Sequence, residues 1–215
     1  MSNHPENLPP PDTRFPDTYA TATGKGDLHI PGAGTIGMAI LIVSLSILFI
    51  ASMAAFLIIR VQYQSQPNHP WPPLGMPHLP ASLWLSTAVI LFSSITIQKA
   101  LNAAQRDDEK KLRRNLLATF LIGLLFLLMQ TANWLEFYIA IRHTAFQGSY
   151  LGMFYVLTGL HAAHVFGGLI PLGIILYRAK RGRYSRNFHP GIRYSAVYWH
   201  FLDIVWCALF ILIYF

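Results

Sequence analysis

Seven polar or ionisable side chains lie within long apolar stretches of this chain. Such groups are costly in a hydrocarbon environment, and they commonly mark pathways, cofactor sites or interhelical contacts. The amides among them are suited to hydrogen bonding between helices, and this structural, interhelical role is the one that we expect for the whole set. The set consists of Gln130, Asn133, Glu136, His161, His164, His200 and Asp203.

The three histidines are the candidates for a metal or haem site. His161 and His164 share one helix face because they are spaced i, i+3, and His200 can approach from another segment. Imidazole is a suitable ligand for iron, copper and zinc. Counted along the helices, however, His200 lies nearer the inner surface than His161. This mismatch favours interhelical hydrogen bonding and predicts no metal or haem in the chain itself.

The two carboxylates have both functional and structural interpretations. Asp203 follows His200 at i, i+3 on the same face. The two can form a proton-relay element or a mutually satisfied pair, and the pair is favoured because it removes the cost of burying either group alone. Glu136 is expected near the outer membrane surface, where it can reach water or form a weak ion pair with Arg142.

Five apolar runs must position these residues. Each run is at least 18 residues long, about the length that a helix needs to cross ~30 Å of hydrocarbon. Only 12% of the chain is charged, against about 25% in soluble domains. The fold class predicted is an all-α integral membrane bundle of five transmembrane helices. The runs cover about 34–60, 81–98, 116–141, 150–177 and 195–215.

The net charge of +7 is a topology signal. Of the 16 Lys and Arg residues, all but Arg60 and Arg142 fall in the N-terminal segment or around the second and fourth connections. The positive-inside rule therefore predicts a cytoplasmic N-terminus and an external C-terminus, and nucleic acid is not an expected partner. Arg178 and Arg183 are candidates for binding anionic lipid headgroups. Residues 1–33 are predicted to form a disordered cytoplasmic arm, and residues 34–215 the membrane domain.

Four segments resemble subunit III of the cytochrome c oxidase (haem–copper oxidase) family. YWHFLDIVWCALFILIY at 198–214 is similar to the family's terminal-helix signature, and FYVLTGLHAAHVFGG at 154–168 to its TGxHxxHVxxG helix. MQTANWLEF, and the WPP loop with the helix after it, also resemble family segments. The resemblance runs in order from about Gly37 to Phe215 and has the five-span form of many bacterial members.

Two positions depart from the family pattern. Ser44–Leu45 replaces a Ser–Glu pair, and Asn133 replaces the glutamate of Q-x-x-E, although Glu136 follows three residues later. The roles of those two carboxylates are therefore not carried over to this chain.

The resemblance implies a subunit without redox cofactors, which packs against the catalytic haem–copper subunit I and other oxidase subunits of a bacterial inner membrane. The haems and copper are expected in those partner subunits. Family members hold phospholipids in a cleft between the first two of these helices and the other three, and they support assembly and proton uptake. Oxygen reduction to water, coupled to proton pumping, belongs to the complex.

Two alternatives stay open at the level of the sequence. One is an accessory subunit of a nitric oxide reductase. The other is a stand-alone membrane haem or metal protein that uses His161, His164 and His200.

Overall fold

The computed structural model describes residues 33–67, 79–142, 149–181 and 190–215, and these ranges contain helices and no strand. All five helices are long and apolar enough to cross a membrane, which confirms the predicted all-α membrane bundle. Apart from Ala33, the predicted N-terminal arm lies outside the described residues, and so does Arg183. The helices are α1 (Ala33–Gln64), α2 (Ser82–Gln105), α3 (Glu109–Arg142), α4 (Ser149–Lys180) and α5 (Pro190–Tyr214).

The helices extend beyond the apolar runs that predicted them. Helix α3 begins at Glu109 rather than near 116, because Asp108 caps it: its Oδ1 accepts a hydrogen bond from the Lys111 N–H at 3.0 Å. Helix α5 begins at Pro190, whose fixed φ suits a first helical turn. A hydropathy pattern does not include these polar first turns, because each helix extends beyond the hydrocarbon core of the membrane.

A short turn makes α2 and α3 antiparallel neighbours. Asp107 adopts a left-handed conformation with φ of 59°, which aspartate tolerates better than most residues. The Asp108 N–H then donates to the Ala103 carbonyl at 3.0 Å and closes the turn. We call the end of the bundle that carries this turn, the end of α4 and the start of α5 the basic end, since most of the lysines and arginines flank it.

Helices α2, α3, α4 and α5 form a closed ring of neighbours. Helix α2 packs against α3 and α5, and α4 also packs against α3 and α5. The centre of the ring is filled by fully buried large side chains, among them Phe126 of α3 and Trp199 and Trp206 of α5. The ring therefore has a continuous apolar core of its own.

Glycines allow the ring helices to approach closely at two points. A Cβ placed on Gly123 of α3 would lie 2.9 Å from the Trp199 ring, and one on Gly168 of α4 would lie 2.7 Å from the Tyr198 ring. Small residues at such contacts are typical of helix pairs in membranes. Both glycines make room for an aromatic residue of α5.

Helix α1 lies apart from this ring. Within the described residues no Cα of α1 comes within 8 Å of a Cα of another helix, and contact is made by long side chains such as Phe49 and Phe56. The predicted division into the first two helices and the other three is therefore wrong. Helix α2 belongs to the ring because its small and hydroxyl-bearing side chains pack directly on α3 and α5.

Candidate functional site

Hydroxyl side chains of α2 form hydrogen bonds across the ring to α3 and α5. They satisfy the indole N–H groups of both central tryptophans, which would otherwise be unpaired in hydrocarbon. Such bonds fix the register of α2 against its two neighbours. The pairs are Ser82–Asn133 (2.6 Å), Thr87–Trp206 (3.0 Å), Ser93–Trp199 (2.7 Å) and Thr96–Thr119 (2.8 Å).

The predicted ion pair between Glu136 and Arg142 is not formed. Glu136 Oε2 instead accepts a long hydrogen bond from the Ser82 hydroxyl (3.4 Å), and the Arg142 guanidinium lies over the Tyr138 ring, 5.8 Å from its centroid. Six residues of helix place Glu136 and Arg142 on different faces. The closeness of Glu136 and Arg142 in the sequence therefore did not predict an ion pair between them.

Two amides of α3 face the inside of the ring. Asn133 Oδ1 accepts from Ser82, but its Nδ2 has no hydrogen-bond partner within the described residues. Both amide atoms of Gln130 also lack a partner there, although the side chain is buried. Gln130 therefore departs from the expected interhelical hydrogen bonding.

His161 is enclosed by aromatic rings. It is fully buried, and its ring centroid lies 6.2 Å from that of Phe49, 5.9 Å from that of Phe126 and 5.0 Å from that of Trp206. Neither ring nitrogen has a hydrogen-bond partner among the described residues. The expected interhelical hydrogen bond is thus wrong for His161, whose contacts between helices are made by ring packing.

His164 is bonded within its own helix. Its Nδ1 lies 2.7 Å from the Leu160 carbonyl, to which it donates, while the carbonyl of His164 accepts from the Tyr198 hydroxyl of α5 at 3.0 Å. The ring meets Phe49 of α1 edge-on at 5.3 Å. His164 therefore links α1, α4 and α5, but only its backbone bonds across helices.

The predicted mutual pair of His200 and Asp203 is also wrong. His200 contacts α2, with Nδ1 2.6 Å from Ser94 Oγ and Nε2 3.2 Å from Gln98 Oε1. Asp203 is buried, and neither of its carboxylate oxygens has a hydrogen-bond partner among the described residues. His200 thus bonds to α2 and not to Asp203.

The three histidines do not come together. His161 and His164 pack around Phe49, whereas His200 is held by Ser94 on α2. Within the described residues no group of three or more His, Cys, Asp or Glu side chains is arranged to hold a metal ion.

A cavity of about 670 Å³ separates α1 from α4 and α5. Its wall is mostly apolar and includes Leu45, the residue that stands where the resemblance implies a glutamate. Arg178 lines it near the end of α4, and Thr35 and Tyr194 join α1 to α5 by a 3.1 Å hydrogen bond between their hydroxyls. The lining residues are Met38, Leu41, Leu45, His164, Gly167, Gly168, Pro171, Ile174, Ile175, Arg178, Gly191, Tyr194, Ser195 and Tyr198.

Sequence reasoning identified Arg178 but missed the two tyrosines of α5 that line this cavity. Tyr194 bonds to α1 and Tyr198 to α4. The available signal was the one-turn spacing of these tyrosines on the first turns of α5, opposite the glycine pair Gly167–Gly168 of α4.

The sequence profile of the family described as cytochrome c oxidase subunit III matches residues 15–215. The chain belongs to this family. Among its relatives is cytochrome c oxidase subunit 3 of Synechocystis, 31% identical over 92% of this chain and 82% of the relative. That of Thermostichus vulcanus is 30% identical over 92% of this chain and 95% of the relative. That of Drosophila yakuba is 30% identical over 83% of this chain and 67% of the relative.

Membership places the chain among the subunits of haem–copper oxidase complexes and makes it a multi-pass membrane protein. The relatives come from bacteria and from insects, so the family occurs in more than one kind of membrane. The family match was expected from the signature segments in α4 and α5, and the five-helix fold from the five apolar runs.

Proposed function

We propose that this chain is a non-catalytic, lipid-binding subunit of a respiratory haem–copper oxidase in a bacterial cytoplasmic membrane. It packs against the catalytic subunit I and other oxidase subunits, which hold the haems and copper and reduce oxygen to water with proton pumping. Its own contribution is to assembly, to the retention of phospholipid and to proton uptake by the catalytic subunit. Its N-terminus is cytoplasmic and its C-terminus external.

The cavity beside α1 is the observation that carries the lipid-binding part of this proposal. Its volume of about 670 Å³ lies within the usual range for small-molecule sites, about 300–1,000 Å³. Most of its wall is apolar, with aliphatic side chains from α1 and α4, and Arg178 supplies a cation in the last turn of α4. A ligand with an apolar chain and an anionic head matches both features.

The charge distribution supports the orientation. The basic end carries Arg178, Arg181 and the α2–α3 turn, whereas Arg60 and Arg142 lie toward the other ends of their helices. Basic residues are retained on the cytoplasmic side of membrane proteins. The cavity therefore opens its cationic end toward the cytoplasmic leaflet, where anionic lipids attract basic side chains.

Lipid retention tests this proposal. The complex would be purified through a tag on this chain, and its bound lipid measured by mass spectrometry. Arg178→Gln is expected to lower the retained anionic lipid by about fivefold, since one basic residue near a headgroup contributes about 1 kcal/mol.

Arg181→Gln is the matched control. The Arg181 guanidinium lies over the Tyr177 ring, 4.5 Å from its centroid, and the residue does not line the cavity. Equal lipid loss in both variants, or a cleft without lipid density at high resolution, would overturn the assignment of this site.

The partner subunits are tested by the same purification. A larger haem-containing membrane subunit of the oxidase type is expected in stoichiometric amount, with no haem absorption from the separated chain. A nitric oxide reductase subunit in its place would overturn the oxidase assignment. A Soret band in the separated chain would instead favour a haem protein that uses its own histidines.

A further inference from the structure

Two buried polar side chains inside the ring have hydrogen-bonding atoms that no protein group satisfies. Gln130 of α3 is 1% exposed and His161 of α4 is 0% exposed. Both amide atoms of Gln130 and both ring nitrogens of His161 lack a hydrogen-bond partner within the described residues. Buried polar groups are rarely left unpaired, and where the protein does not pair them an ordered water commonly does.

A hydrogen bond between α3 and α4 fixes the level of these two residues in the ring. Trp134 Nε1 donates to Thr158 Oγ1 at 3.0 Å. The two helices run antiparallel, so one turn of each from this bond leads to Gln130 on α3 and to His161 on α4. One turn farther along α3, the Phe126 ring lies 5.9 Å from that of His161. Gln130 and His161 therefore lie at the same level of the ring.

Helix α2 contributes a buried hydroxyl at this level. Ser82 Oγ donates to Asn133 Oδ1 of α3 at 2.6 Å, and one turn of each antiparallel helix from this bond leads to Ser86 and Gln130. Ser86 is 0% exposed, and its hydroxyl donates to the Leu83 carbonyl at 3.0 Å. Its oxygen can still accept a hydrogen bond. We call Ser86, Gln130 and His161 the polar layer.

Helix α5 closes the ring at the polar layer with an aromatic residue. The Trp206 ring lies 5.0 Å from that of His161, and its Nε1 donates to Thr87, the residue after Ser86. A cavity of about 10 Å³ adjoins this region, with Thr158 and Trp206 in its wall. This volume is close to the roughly 10–15 Å³ that one water requires.

We propose that the polar layer is a binding site for buried water, which bridges Gln130 and His161 and links α2, α3 and α4. A direct bond between these two side chains would pair one atom of each and leave the other two unpaired. An amide offers both donors and an acceptor, and a neutral imidazole offers one of each. Water donates and accepts, so it can pair atoms of either kind.

The composition of the polar layer favours water over an ion. The layer consists of a hydroxyl, an amide and an imidazole, without a carboxylate, lysine or arginine, and aromatic rings surround His161. A buried ion would need a charged partner in such surroundings. The site belongs to this chain alone and does not rest on the proposed function.

Radiolytic hydroxyl-radical labelling of the purified complex tests the proposal, with mass spectrometry locating the oxidised side chains. Trp206 and Trp199 are each 1% exposed, but only Trp206 packs on the polar layer, whereas Trp199 is bonded to Ser93. Radicals formed from a bound water should oxidise Trp206 and leave Trp199 unlabelled. Equally low labelling of both tryptophans in the wild type would overturn the site.

Two variants that keep side-chain size assign the labelling to the polar layer. Gln130→Met and His161→Phe remove the polar atoms, and each should reduce the labelling of Trp206 toward the level of Trp199. Thr96→Val is the matched control, because it removes a buried hydroxyl of α2 that bonds to Thr119 about 15 Å along the helix from Ser86. Its labelling pattern should equal that of the wild type. Undiminished labelling of Trp206 in both polar-layer variants would overturn the site.

A high-resolution map of the complex gives an independent test that needs no variant. Density for a water is expected within about 2.7–3.2 Å of polar atoms of both Gln130 and His161. A map that shows the two side chains without density between them would overturn the site and leave the subunit assignment intact.

Discussion

Helices α2 to α5 approach each other closely enough for glycines and hydroxyls to make contacts across the ring, whereas α1 meets them mainly through long side chains. In the ring, Gly123 leaves room for the indole of Trp199, and Ser93 bonds to that indole. At α1, Phe49 spans the gap to His161 and His164. Lipid is as apolar as leucine, so close packing and polar bonds rather than burial hold membrane helices together.

Under the proposed function, this difference separates the part of the domain that provides stability from the part that binds lipid. The ring has close packing and interhelical hydrogen bonds, which specify one arrangement of its helices. The α1 side has a cavity with an apolar wall and a few tethers at its ends, such as the bond between Thr35 and Tyr194. The residues that line the cavity do not include Trp206, which lies in the core of the ring.

A larger side chain at a close helix contact in the ring should lower the free energy of unfolding more than the other changes considered below. Gly123→Ala brings a methyl group 2.9 Å from the Trp199 ring and 3.1 Å from Leu169. Since Trp199 is held by Ser93, we expect a loss of about 1–3 kcal/mol in unfolding free energy, the usual cost of overpacking. Reversible unfolding in mixed detergent micelles measures it.

The corresponding control is Gly167→Ala on the α1 side. No atom outside its own helix turn would lie within 4 Å of the added Cβ, and alanine favours helix over glycine. This variant should be as stable as the wild type or more stable. Equal destabilisation by both substitutions would remove the distinction between the ring and the α1 side.

Removal of a hydrogen bond that attaches α1 to α5 should destabilise the protein less. Tyr194→Phe keeps the ring that lines the cavity but removes the hydroxyl that bonds to Thr35. A single hydrogen bond contributes about 0.5–1.5 kcal/mol, and this one is exposed, so the lower value is expected. Amide hydrogen exchange should rise in the first turns of α1 and stay unchanged in α2 to α5. Tyr177→Phe, at an exposed residue that does not line the cavity, should leave all helices unchanged.

The smallest expected effect is the loss of stability at low pH in the turn between α2 and α3. The side-chain bond to Lys111, followed by the bond from the Lys111 backbone, lowers the pKa of Asp108 below its ordinary value of 3.8. Because the pKa is lowered in the folded state, the stabilisation is present above about pH 3.8 and is lost as the pH falls through the lowered value.

Asp108→Asn should therefore abolish the acid-induced rise in hydrogen exchange at the start of α3. The Lys111 amide, which donates to Asp108, is the reporter. Asp107→Asn is the control, because asparagine also tolerates the left-handed conformation at that position. An unchanged acid response in Asp108→Asn would show that another group governs this turn.

The sequence predicted the five helices because a continuous run of about twenty apolar residues is long enough to cross a membrane as a helix, which satisfies its own backbone hydrogen bonds. It also identified polar residues that are buried in the ring, such as Asn133 and Asp203, because polar side chains are uncommon and costly in such a run. Helical spacing defines which residues share a face, but it does not define which neighbouring helix that face meets. The bond from His200 to Ser94 depends on the register of α5 against α2, which spacing within α5 cannot supply.

The cavity was predicted only in part. Leu45, which stands where the resemblance implies a glutamate, indicated an apolar wall at that position, and it does line the cavity. The location between α1 and the remaining four helices was not foreseen, because it follows from where glycines and hydroxyls permit close approach. Phe49, which spans the gap, is indistinguishable in sequence from any lipid-facing phenylalanine.

The order in which the helices neighbour each other around the ring has a consequence for the biosynthesis of the protein. Helix α5 packs against both α2 and α4 and is the last described helix to leave the ribosome. Until it inserts, Thr87 and Ser93 lack their tryptophan partners and the glycine surfaces of α3 and α4 are uncovered. Chains that stall before Trp199 therefore lack these contacts, and the completed α5 supplies them.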